Sequence, residues 1–223
     1  MKREALERAL GHRFARPALL EQALTHRSFG AAHNERLEFL GDAVLDCVVS
    51  RLLYERYDGL REGELSRLRA GLVRQDALHR IATRLGLGEC LRLGEGEARS
   101  GGASRPSILG DAMEAVLGAV FLDGGFGAAS AVIERLYGPM LAELDPESPG
   151  KDPKTRLQEL LQARRHELPR YMLRATHGQA HAQRFEIECV VPQPGIAAIG
   201  TGASRRAAEQ EAARRALELL ERT

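Results

Sequence analysis

Residues 34–42 read Asn34-Glu-Arg-Leu-Glu-Phe-Leu-Gly-Asp42, and the apolar pattern continues through Ala43-Val-Leu-Asp-Cys-Val-Val-Ser-Arg-Leu-Leu-Tyr54. Leu37, Leu40, Val44 and Val48 recur at helical spacing, which predicts a helix to about Tyr54 with this stripe facing a core. At about 100° per residue, Glu38 and Asp42 fall within about 40° of each other, with Glu35 and Asp46 beside them. Carboxylates stacked on one helical face repel, so an isolated helix gains nothing from them. Two explanations stand: a solvated acidic face partnered by Arg36 or an outside arginine, or a site that needs negative charge. Phe39 and Ala43 point roughly opposite the stripe, giving the helix a second apolar side. That side is either buried within a helical layer or pressed against another chain.

A second stretch shares the acidic pattern. In Ser107-Ile-Leu-Gly-Asp-Ala-Met-Glu114-Ala-Val-Leu-Gly-Ala-Val-Phe-Leu122, Asp111 and Glu114 are one turn apart, and every other residue from Ala112 onward is small or apolar. A helix of this composition is buried, and Ala112, Ala115, Gly118 and Ala119 let a neighbour approach closely. Ser107 is the expected N-cap. Two buried acids need a partner, either an arginine or a divalent cation. If the two acidic helices pack side by side, Glu38, Asp42, Asp111 and Glu114 converge into an all-oxygen cage. Such a cage suits Mg²⁺, with Mn²⁺ able to substitute.

Around these helices the 223-residue chain divides naturally. Helical spacing dominates to about residue 143, with turns at Arg16-Pro17, Asp58-Gly59 and Gly86 to Gly88 and a glycine-rich loop from Gly94 to Pro106. Leu144-Asp-Pro-Glu-Ser-Pro-Gly-Lys-Asp-Pro153 has linker composition. Beyond it, Asp152-Pro153 opens a helix to about Arg165. Tyr171, Leu173 and Ala175 then alternate with outward residues, as do Phe185, Ile187, Cys189 and Val191, and a third strand covers Ile196 to Gly200. Ser204 caps a final helix to about Leu220. The expected architecture is therefore an all-α domain over 1–146, a linker over 147–153, and a small α+β domain over 154–223. Its α-β-β-β-α order places both helices on one face of an antiparallel sheet.

Composition narrows the function. With 43% apolar and 28% charged residues the chain reads as an ordinary folded protein. The longest small-and-apolar run, Ala115 to Leu122, is far short of the roughly 20 residues that cross a bilayer, so no membrane partner is expected. The N-terminal Met1-Lys2-Arg3-Glu4 leads into a charged stretch without a secretory pattern, which makes the cytoplasm the expected compartment. Three widely spaced cysteines and seven histidines without an HEXXH pair exclude a disulfide framework and zinc hydrolysis. Residues 1–150 carry 19 Lys and Arg against 22 Asp and Glu, and residues 151–223 carry 13 against 9. The acidic part is matched to a cation and the basic part to a polyanion, although chance partition of surface charge gives the same numbers.

The motif at 34–42 resembles the signature of ribonuclease III. The likeness continues through Glu62-Gly-Glu-Leu-Ser-Arg-Leu-Arg69, Leu87-Gly-Glu-Cys-Leu-Arg-Leu-Gly94, Ser107 to Leu122, Asp152-Pro-Lys-Thr-Arg-Leu-Gln158, Gly200-Thr-Gly-Ala-Ser-Arg-Arg206 and Ala208-Glu-Gln210. It spans essentially the whole chain in order. The resemblance implies a homodimeric, metal-dependent endonuclease that cuts both strands of double-stranded RNA. The implied products carry 5′-phosphate and 3′-hydroxyl ends with a short 3′ overhang, and processing of ribosomal precursors is the usual role. Carried over by position, the family's catalytic metal ligands fall on Glu38, Asp42, Asp111 and Glu114. Glu35 and Glu62 match further acids of the catalytic valley, and Phe39 matches a dimer contact.

The C-terminal segment resembles a double-stranded RNA-binding domain. Leu157, Leu160 and Leu161 face the sheet, which turns Gln158, Gln162 and Arg165 outward. Their amides suit the 2′-hydroxyls and base edges of a shallow A-form minor groove. His181, in the loop Gly178-Gln-Ala-His181, matches a second minor-groove contact. Ser204-Arg205-Arg206 combines a helix N-terminus with two guanidiniums, a phosphate-binding arrangement. Gly195 to Gly202 lacks a GK[ST] ending, so no nucleotide cofactor is expected. Two rival readings use the same architecture: a duplex-RNA chaperone without catalysis, and a metal phosphohydrolase acting on nucleotides.

Overall fold

Amphipathic helices account for the whole first part of the chain, and the order of their apolar faces sets the packing. The computed structural model describes residues 2–144, 153–178 and 183–221. It contains α1 (Lys2–Leu10), α2 (Pro17–Ala23), α3 (Glu35–Arg56), α4 (Glu62–Val73), α5 (Gln75–Arg84), α6 (Glu95–Arg99) and α7 (Pro106–Ala142). The central pair is α3 and α7. Leu37, Val44 and Val48 are buried on α3 as their spacing predicts, with Leu40 partly so. On α7 every residue from Ala112 to Val120 is buried except Glu114. The length and apolarity of α7 therefore serve the core of this unit.

Several boundaries differ from the sequence reading. Helix α7 begins at Pro106, with Arg105 in the capping position, so Ser107 lies inside the first turn and does not cap it. Proline's fixed φ and missing N–H suit the first helical position, which moves the start one residue earlier. The glycine-rich loop before it holds α6 and a 3₁₀ turn at Gly102–Ser104. Helix α7 also runs 20 residues beyond Leu122, interrupted at Gly125, whose φ of 75° only glycine adopts freely.

The chain divides into two compact units, residues 1–149 and 150–223. The second contains α8 (Pro153–Ala163), β1 (Arg170–His177), β2 (Arg184–Val191), β3 (Ile196–Gly202) and α9 (Arg205–Glu221). Its strands form an antiparallel sheet in the order β1-β2-β3. Leu157 and Leu161 of α8 and Ala212, Ala213 and Ala216 of α9 share one core with Cys189, Val191 and Ala198. The alternation expected on β1 fails at Leu173, which is exposed on this edge strand although it pairs with buried Ile187, and the register with β2 then shifts between Leu173 and Ala175. Helix α8 ends at Ala163, two residues before the expected Arg165, which adopts a left-handed φ of 57°. The expected cap Asp152 and most of the 147–153 linker lie outside the described residues.

Candidate active site

The acidic pairs meet because α3 and α7 cross backbone against backbone. A Cβ on Gly41 would fall 1.8 Å from the carbonyl oxygen of Glu114, and one on Gly118 would fall 2.3 Å from that of Leu37. Only hydrogen fits at either position. Gly41 sits between Glu38 and Asp42 in sequence, so the crossing carries both acids to the Glu114 turn of α7.

The electrostatics reflect that convergence. Burial pushes the Glu114 carboxyl up to about 8, reinforced by the charges of Asp42, Glu38, Asp111 and Asp46 in that order. Glu38 is raised by burial, then by Asp111 and Glu35. Asp111 is raised by burial, against the opposing influence of His26 and Arg27. Among the described residues no lysine or arginine forms an ion pair with Glu38, Asp42, Asp111 or Glu114. The nearest such pair, Arg27 Nη1 to Glu35 Oε1 at 3.2 Å, lies at the rim. The buried-arginine alternative therefore finds no support in the geometry, and Arg36 is exposed. Asp46 adds a buried Oδ1 without a hydrogen-bond partner one turn beyond Asp42, and the Tyr137 hydroxyl is likewise buried and unpartnered.

These features fit a hard divalent cation. The donors are all oxygen, none of the four is in a direct ion pair among the described residues, and Glu114 sits where a carboxylate alone is costly. Among the described residues, no three His, Cys, Asp or Glu side chains are gathered to ligating distance. The expected closed cage is thus a cluster of neighbouring, mutually repelling carboxylates.

A cleft of about 550 Å³ opens beside the cluster. Its lining mixes the acids Glu35, Glu38, Glu97 and Asp111 with His26, Arg27 and Arg105, and Arg105 Nη1 pairs with Glu97 Oε1 at 2.7 Å. The sequence reading passed over His26 and Arg27. Their signal was a polar run, Thr25-His-Arg-Ser28, directly after the buried Leu24. Glu62 lies elsewhere: it accepts a hydrogen bond from Ser66 Oγ at 2.8 Å and lines a groove with Ser50, Arg51 and Tyr54. Phe39 is 80% exposed, so its burial within the chain's own helical layer is excluded.

In the second unit Gln158 and Gln162 are exposed on α8, opposite buried Leu157 and Leu161, as expected. Ser204 Oγ accepts the Ala207 N–H at 3.1 Å and so caps α9, with Arg205 and Arg206 exposed in its first turn. The glycines of β3 have a packing role: a Cβ on Gly200 would lie 2.1 Å from the Ala212 nitrogen, and one on Gly202 2.5 Å from that of Ala208. His181 lies outside the described residues.

Comparison with known proteins matches the same two parts. A family model described as Ribonuclease-III-like covers residues 16–141, and one for the double-stranded RNA binding motif covers residues 153–220. The chain is 63% identical over 219 residues to "Ribonuclease 3" of Aromatoleum aromaticum, covering 98% of this chain and 97% of that protein. It is 60% identical over 217 residues to "Ribonuclease 3" of Thiobacillus denitrificans, covering 97% and 96%. Among solved structures, the nuclease domain of ribonuclease III from Campylobacter jejuni aligns with a TM-score of 0.60 at 45% identity. That alignment covers 61% of this chain and 96% of the other, whose description mentions a flexible region involved in dimer formation.

Proposed function

This chain belongs to the ribonuclease III family, and from that premise we propose that it cleaves double-stranded RNA in a metal-dependent reaction at the Glu38, Asp42, Asp111 and Glu114 cluster. The observation that supports the reading is the backbone crossing at Gly41 and Gly118, together with the mutual electrostatic influence of Glu38, Asp42, Asp111 and Glu114 and the cleft that Glu38 and Asp111 line. Glu38 and Asp42 from α3, with Asp111 and Glu114 from α7, would hold Mg²⁺ or Mn²⁺. When bound, such an ion lowers the pKa of water and neutralises charge developing on the leaving 3′-oxygen.

The chain's own residues do the rest. The proton that burial keeps on Glu114 near neutral pH leaves when a cation takes its place, so metal affinity rises with pH toward about 8. Glu35, paired with Arg27, supports the rim of the cluster. Glu62, on its separate groove, is assigned to the surface that the RNA or a second subunit meets. Gln158, Gln162, His181, Ser204, Arg205 and Arg206 dock the duplex through minor-groove and phosphate contacts. Phe39 anchors a homodimer, in which two clusters act on opposite strands and leave 5′-phosphate and 3′-hydroxyl ends with a short 3′ overhang. Processing of ribosomal precursors and other structured transcripts in the cytoplasm fits this activity.

The test is a labelled RNA hairpin incubated with Mg²⁺ and then with EDTA. Discrete fragments in Mg²⁺ alone are expected. Bound but intact RNA under both conditions would instead establish a duplex chaperone. Glu114→Gln is expected to abolish cleavage while leaving hairpin binding largely intact, measured by gel shift. A folded variant that loses binding together with cleavage would defeat this division of labour.

A further inference from the structure

The cleft beside the acidic cluster is also lined by His26 and Arg27, which the metal chemistry does not use, and the backbone that carries them is held in place before any substrate arrives. Residues 25–28 are clamped against residues 92–94. Thr25 and Arg92 form a parallel β-bridge, the His26 N–H donates to the Arg92 carbonyl at 3.0 Å, and the Gly94 N–H donates to Ser28 Oγ at 3.0 Å. A Cβ on Gly94 would lie 2.3 Å from the Ser28 carbonyl oxygen, so the two segments touch through their backbones. Asn34, at the start of α3, donates its N–H to the Thr25 carbonyl at 2.9 Å, which ties the same loop to the acidic helix.

Within this clamp the orientation of His26 is defined. The Ser28 N–H donates to His26 Nδ1 at 3.2 Å, and the Ser28 hydroxyl lies 2.8 Å from the same nitrogen. A backbone N–H can only donate, so Nδ1 is the acceptor and the neutral ring carries its proton on Nε2. Arg27 is 71% exposed at its side chain and spends Nη1 on Glu35. A guanidinium has five N–H donors, so this pair leaves most of its donor capacity for an incoming anion.

We propose that His26 and Arg27 form a phosphate subsite for the RNA strand being cut. His26 donates from Nε2 and Arg27 from its guanidinium to non-bridging oxygens of the backbone next to the carboxylate cluster. This rests on the nuclease reading above. A strand whose phosphates must lie beside a cation needs donors for the anion as well as carboxylates for the metal, and the lining of this one cleft offers both. The clamp fixes the loop backbone and the His26 ring before binding, and preorganised donors are where such contacts gain most. It also gives the segment 92–94 a purpose in the reaction, as the support that fixes the His26 loop.

The experiment uses the full chain with a labelled hairpin. In the Glu114→Gln background, where cleavage is blocked, the slope of log affinity against log salt is compared with and without Arg27→Ala. Loss of one phosphate contact is expected to flatten it by about 0.9, and Arg27→Lys to restore it. In the otherwise unaltered enzyme, His26→Ala is expected to lower the single-turnover rate about 10- to 100-fold at saturating RNA and Mg²⁺. His26→Gln, which returns an N–H near Nε2, should recover most of that loss. The Mg²⁺ concentration for half-maximal rate should stay unchanged in both. Recovery of His26→Ala at high Mg²⁺ would mean that the residue acts only through Asp111 and would overturn the subsite. An unaltered salt slope in Arg27→Ala would do the same. Failure of the unaltered enzyme to cut at all would instead bring down the nuclease reading on which the subsite stands.

Discussion

Glu114 shows how a single side chain connects sequence, burial and chemistry. It is the one residue between Ala112 and Val120 that is not fully buried, and its carboxyl is pushed up to about 8 by burial and by four neighbouring acids. A folded-state pKa above the unfolded value near 4.5 has a definite sign in stability. The contribution is fully present below about 4.5 and is lost as pH rises through about 8. Glu114→Gln cannot ionise, so in EDTA it is expected to melt a few degrees higher than the unaltered chain at pH 8, with the gap closing at pH 4.5. Calorimetric melts across that range check it, and identical profiles would show that the cluster imposes no cost. Asp111 and Glu114 were legible as acids on an otherwise apolar helix, and Glu38 and Asp42 as a stacked acidic pair whose purpose stayed open without the family resemblance. Tyr137, whose hydroxyl feels the charge of Glu114 from beyond the interruption at Gly125, was not legible, because periodicity does not reveal where an interrupted helix leads. His26 and Arg27 were not either: each is an ordinary polar residue until the clamp from residues 92–94 orients it.

Helix packing decides whether those acids cooperate. The α3–α7 crossing works only with glycine at residues 41 and 118, since a methyl group at either would occupy space held by the other helix's backbone. Gly41→Ala is expected to force the helices apart, with a stability loss of at least about 1–3 kcal/mol by urea denaturation and a collapse of Mg²⁺-dependent cleavage. Gly71→Ala is the control. That residue is exposed on α4 and a Cβ there would meet nothing within 4 Å, so the change should leave cleavage intact and raise stability by up to about 1 kcal/mol. If both variants behave alike, helix propensity rather than the crossing governs the effect. The small residues of α7 announced a close neighbour in the sequence, but which helix it would be was inference. Likewise no sequence pattern assigned Gly200 and Gly202 a packing role, and the fold uses them to seat α9 against β3.

Across the whole molecule, the two units carry separate cores and separate tasks. Residues 150–223 expressed alone are expected to fold and bind duplex RNA without cutting it, with affinity falling steeply as salt is added. A flat salt response in filter binding would contradict phosphate-led docking. Phe39, 80% exposed in the single chain, is expected to be covered by a second copy. Phe39→Asp should shift the protein from dimer to monomer in sedimentation at micromolar concentration, and an unchanged dimer would place the interface elsewhere. Helical and alternating periodicities, the proline-rich break and the paired acids are local properties, written within one or two turns of chain, so the fold class could be read directly and the acids of α3 and α7 could be singled out as candidates. What required the folded molecule was every relation between distant segments: the backbone contact of α3 with α7, the presence of His26 and Arg27 in one cleft with Glu38 and Asp111, the separate groove that Glu62 lines, and the exposure of Phe39. Those depend on packing, where one absent Cβ or one loop held against another sets distances that no local pattern encodes.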